Sequence, residues 1–75
     1  MGSSVLKPNA KIAPERESEA LAIRNNMIIE LLVNVLDEAL VIERHILRER
    51  LANLIELADY DEELTETLHG VINKL

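Results

Sequence analysis

The run Met27 to Ile42, MIIELLVNVLDEALVI, constrains the fold more than any other stretch, because only Glu30, Asn34, Asp37 and Glu38 interrupt its apolar side chains. These four positions are spaced i, i+4, i+7 and i+8. On a helix they form one narrow wet stripe and leave apolar surface over more than half the circumference. Such a helix has to be covered, and a chain of 75 residues has little to cover it with. A domain that short buries only about 60% of the surface its unfolded chain exposes.

Composition sharpens the problem. Apolar residues make up 48% of the chain, yet Tyr60 is the only aromatic, so Leu, Ile, Val and Ala must do the packing without bulky rings to fill a closed core. Association of two or more copies is the simplest resolution. The expected architecture is all-α: two or three amphipathic helices per chain, paired into an intertwined four- or six-helix homodimeric bundle. Its expected dimer interface is Ile28, Leu31, Leu32, Val35, Leu36, Ala39 and Ile42. Asn34 lies within the run, and its spacing puts it on the wet stripe rather than in a register-setting core pair.

Along the chain, residues 1–13 show no helical or strand period, and Gly2, Ser3, Ser4, Pro8 and Asn9 break them up. They read as a flexible arm outside a single helical domain at 14–75. Pro14 suits a first helical position, and Glu15, Glu17 and Glu19 place negative charge on the positive end of the helix dipole. From Glu15 to Ala58 there is neither Gly nor Pro, but the apolar phase changes. Continuing the arc of Ile28, Leu31, Leu32, Val35, Ala39 and Ile42 would bury Glu43, Glu49 and Arg50. Instead the apolar positions regroup as Leu47, Leu51, Leu54, Ile55 and Ala58, which predicts a break within Asp37–Glu43. Asp59, with Glu62 three residues later, resembles a capping box before a final helix carrying Leu64, Leu68, Val71, Ile72 and Leu75. The predicted helices are about 15–40, 43–58 and 60–74.

Several function classes are disfavoured. Without cysteine there is no disulfide and no thiolate metal site. Three carboxylates in a 16-residue apolar run make it too short and too charged to span a bilayer. The start, MGSSVLKPNA, has no apolar signal core, so a cytoplasmic, bacterial-style protein without membrane attachment is expected. A formal net charge of −6 and a pI near 4.8 would repel a phosphate backbone and make nucleic acid an unfavoured partner.

Candidate chemistry is sparse. Glu66 and His69 form a Glu-x-x-His pair, which places both groups on one helix face. In a dimer, two such pairs with Glu30, Glu38 or Glu43 would resemble a di-iron or di-manganese site. One pair alone is common in acidic helical chains and reads better as a solvated face, so no metal or cofactor is expected. His45 has no partner constellation for catalysis and reads as an exposed or satisfied histidine at a helix start. Arg44, Arg48 and Arg50 form the only basic concentration, the alternative being a DNA-binding regulator. Glu43 and Glu49 interleave them, as in solvent-facing salt-bridge decoration. No enzymatic activity is expected.

The second half, VIERHILRERLANLIELADYDEELTETLHGVINKL, has Arg44 before an apolar helix (Ile46, Leu47, Leu51, Leu54) that closes on Ile55-Glu56. A small residue and an acidic turn follow, Ala58 to Glu63, and then a last apolar set, Leu68, Val71, Ile72 and Leu75. In these features it resembles small enterobacterial regulators of the AriR type, the biofilm and acid-resistance connector proteins. The resemblance implies an all-helical homodimer that regulates through contact with another protein in a stress or biofilm circuit. It brings no catalytic residues with it.

Overall fold

Pro14 opens the helical part of the chain. In the computed structural model, which describes residues 5–38 and 43–75 and only the backbone of 32–38, a 3-10 turn at Pro14–Arg16 leads into α1, Glu17–Glu38. The Arg16 N–H donates to the Ala13 carbonyl at 2.9 Å, and Glu17 and Glu19 occupy the first turn of α1, where acids suit the dipole. Two further helices follow, α2 at Arg44–Ala58 and α3 at Glu62–Ile72. Among the described residues there is no strand. Residues 39–42, inside the window where the phase change predicts a break, lie outside the described residues.

The turn between α2 and α3 divides its work between two aspartates. Asp59 closes α2 in the left-handed conformation (φ 60°, ψ 41°), which a short polar side chain tolerates better than most. Asp61, extended at φ −61° and ψ 162°, accepts from the Leu64 N–H at 3.1 Å and caps α3. The cap expected at Asp59 therefore sits two residues later. The chain must first reverse through a left-handed residue before a new helix can start.

The core lies around α3. Leu64, Leu68, Val71 and Ile72 are buried against Leu51, Ala52 and Ile55 of α2 and Ala20 of α1. Ala20 is the one buried residue of α1 among those whose side chains are described. Half-buried Ile23, Met27, Ile28 and Leu31 of α1 complete that wall.

The segment 5–13, expected as an arm outside the domain, lies along α3. Val5, Leu6 and Ile12 pack on the core, and a turn closed by Ala10 N–H to Lys7 C=O at 3.0 Å brings backbone groups within reach of the helix. The Ala13 N–H donates to Thr67 Oγ1 at 3.1 Å, and Asn73 Nδ2 donates to the Lys7 carbonyl at 2.8 Å. Gly70 makes the close approach possible: a Cβ there would stand 2.5 Å from Ile12 Cγ1 and 3.3 Å from the Ala10 carbonyl oxygen. The segment lacks periodicity because it is neither helix nor strand, and helical partners satisfy its backbone groups.

Candidate functional site

A groove of about 460 Å³ runs between α1 and α2. On α1 its wall is Ile23, Asn26, Met27 and Glu30, spaced i, i+3, i+4 and i+7 as one helix face requires. On α2 the wall is Leu54, Leu57 and Ala58, with Tyr60 from the turn closing one end. The left-handed residue Asp59 ends α2 at that point, so Tyr60 leaves the helix beside Ala58. Leu57 is 81% exposed, an unusual cost for a large aliphatic side chain on a helix with a buried face. Glu30 is the one charged residue among those lining the groove. Chemically this is an apolar trough with an amide and a carboxylate on its rim. It contains no nucleophile–base pair, and it suits an amphipathic helix better than a reacting small molecule.

Met27 and Glu30 belong to the run that should require a cover. The predicted interface residues divide: Ile28 and Leu31 are half-buried against the core of their own chain. The side chains of Leu32, Val35 and Leu36, and residues Ala39 and Ile42, lie outside the described residues, as does the side chain of Asn34. Leu54 and Ala58, expected in the apolar stripe of α2, face the groove, and Ala52 is buried in their place.

A second cluster holds polar groups together at the other side of α3. His69 is fully buried, and its Nε2 lies 2.7 Å from Glu56 Oε2. With a carboxylate as partner, Nε2 is the nitrogen that carries the donated proton. Nδ1 is buried with no hydrogen-bond partner among the described residues. Lys7 Nζ approaches the same Glu56 oxygen at 3.4 Å, and the bond from His69, ahead of the Lys7 charge, holds the Glu56 carboxyl below the usual carboxylate range. This corrects the reading of His69 as a solvated partner of Glu66. Glu66 is exposed and accepts from the Lys11 N–H at 3.4 Å. The covering segment 5–13 and the placement of Glu56 on α2 turn a face that looks wet on the helical wheel into an interior one. Among the described residues no group of three or more His, Asp or Glu side chains is arranged to hold a metal ion.

Arg16 forms a third feature that sequence reasoning passed over. It donates to both Asp61 oxygens at 3.0 and 3.1 Å, to Glu63 at 3.2 Å and to Glu19 at 2.9 Å. The cluster raises the pKa of the guanidinium and lowers that of the Asp61 carboxyl, with the Arg16 bond as the main cause for Asp61 and the Leu64 N–H next. Its role is to clamp the start of α1 to the start of α3. The acidic excess around Glu15–Glu19 and Asp59–Glu63 was the signal available in sequence. Arg44, His45 and Arg50 are exposed and Arg48 is half-buried; His45 Nδ1 stands 3.9 Å from Glu43 Oε2. No described helix is long and apolar enough to cross a membrane. No protein-family model, curated protein or solved structure matches the chain.

Proposed function

We propose that this is a small acidic, non-enzymatic regulator or adaptor that works by protein–protein contact as a helical homodimer in the cytoplasm. The observation that carries the reading is the α1–α2 groove, an aliphatic trough on the surface of a 75-residue chain with a large leucine left exposed at its edge. Exposed apolar ground of this kind marks interaction sites in small domains. The resemblance of residues 41–75 to AriR-type connector proteins supports the same class and adds a stress or biofilm circuit as the setting, with another regulatory protein as the downstream partner.

The test is the molar mass of the purified chain by light scattering over a concentration series. A dimer that persists on dilution is the expected result. A mass of one chain at every concentration would overturn the homodimer.

A further inference from the structure

We infer that the α1–α2 groove receives the outer face of α2 from a second copy of this chain, the two α2 helices antiparallel and Arg50 of each copy paired with Glu30 of the other. This rests on the homodimer reading above and names its interface.

The outer face of α2 is the stripe Ile46, Arg50, Asn53 and Leu57, at i, i+4, i+7 and i+11, and all four are exposed. Ile46 is 38% exposed and Leu57 81%, so two large aliphatic side chains sit at the ends of a stripe whose middle is polar. Eleven residues of helix span about 16 Å. An antiparallel pair with its two-fold axis at the midpoint of that span therefore sets Ile46 of each copy against Leu57 of the other. The stripe is complementary to itself, as an isologous dimer requires. In this register Ile46 meets the groove end formed by Leu57 and Ala58, and Arg50 comes over Asn53, beside Leu54, which lines the same groove as Glu30.

Charge selects this arrangement further. Glu30 is the charged group on the groove, Arg50 is the basic residue on the stripe, and neither takes part in an ion pair among the described residues. Two copies each at −6 repel on approach, so a local cation over the acidic rim sets register as well as attraction. Arg44 and Arg48 fall off this stripe, on the helix face shared by spacing with Leu51 and Ile55, which leaves Arg50, exposed on the stripe, for this role.

A charge-swap cycle on the full chain tests the pairing, with dimer dissociation followed by light scattering and sedimentation equilibrium at low salt. Arg50→Glu and Glu30→Arg should each weaken the dimer by about tenfold or more, and the double variant should recover most of the loss, as close interfacial charge pairs do. Leu57→Asp should give a monomer whose helical circular dichroism is unchanged, because that side chain already faces water. A dimer insensitive to all three substitutions would overturn this interface while leaving self-association standing. Weakening in both singles without recovery in the double would overturn the pairing. A wild-type monomer would remove the interface together with the homodimer.

Discussion

The most apolar stretch of the chain and its most buried helix are different elements. Met27–Ile42 carries the longest aliphatic run, yet within its described part Ile28 and Leu31 are only half-buried and Ile29 is 58% exposed. In α3, which includes Thr67, His69 and Gly70, seven of eleven residues are buried. Burial follows position rather than hydropathy. The short last helix has α1 and α2 on two sides and the segment 5–13 on a third, so even its polar side chains are enclosed. The longer first helix, over its described side chains, encloses only Ala20 completely. Hydrophobic runs tell which surfaces need cover; which of them receives it depends on what else the chain can bring there.

The sharpest way to break this contrast is Leu68→Ala against Ile29→Ala. Truncating the fully buried Leu68 should cost about 3 kcal/mol in urea unfolding, whereas Ile29→Ala should stay within about 0.5 kcal/mol. Equal losses would place the true centre in α1.

Gly70→Ala probes the covering segment. The added methyl collides with Ile12, and overpacking should outweigh the gain in helix propensity and leave a net loss of about 1 kcal/mol. In an Ile12→Ala background the same change should become neutral or stabilising. A loss of the same size in both backgrounds would mean that the segment does not rest on α3.

Acid should loosen the clamps that hold α3 in place. Glu56 and Asp61 both have folded-state pKa values lowered from the ordinary ones, by His69 and Arg16 respectively. Each contributes stability that is present above the ordinary carboxylate pKa and is lost as pH falls through the lowered one. Thermal melting should therefore drop from about pH 5 downward, and Glu56→Gln and Asp61→Asn should each flatten that slope. Both groups are largely exposed, so each effect should be well below that of Leu68→Ala. A slope unchanged in both variants would assign acid sensitivity to other groups.

Asp59→Gly should act in the opposite direction. Relieving the left-handed φ of 60° should raise stability by up to about 1 kcal/mol, partly offset by a more flexible unfolded chain. A loss instead would show that the Asp59 side chain stabilises the turn.

Much of the architecture is legible in the sequence. Pro14 and the acids after it mark the entry to α1, and the spacing of Leu64, Leu68, Val71 and Ile72 marks the core face of α3. These features depend on local geometry alone. The pairing of buried His69 with exposed Glu56 was not legible, because the two are 13 residues apart and the helical wheel puts His69 away from the apolar arc. The Arg16 clamp joins residues 45 and 47 positions apart, where no periodicity connects them. The groove was half legible: Met27 and Glu30 announce an apolar face with an acidic edge, but only the approach of α2 makes it a trough.

Helix periods, caps and breakers act within a few residues, so an all-helical, acidic, aliphatic chain with helices around α1, α2 and α3 follows from the order of its residues. That α3 is the centre, that residues 5–13 cover it, and that Leu57 and Ile46 remain outside comes from long-range packing. Enclosure depends on which surfaces meet across the whole chain, and a covered face and a bare one can carry the same local pattern.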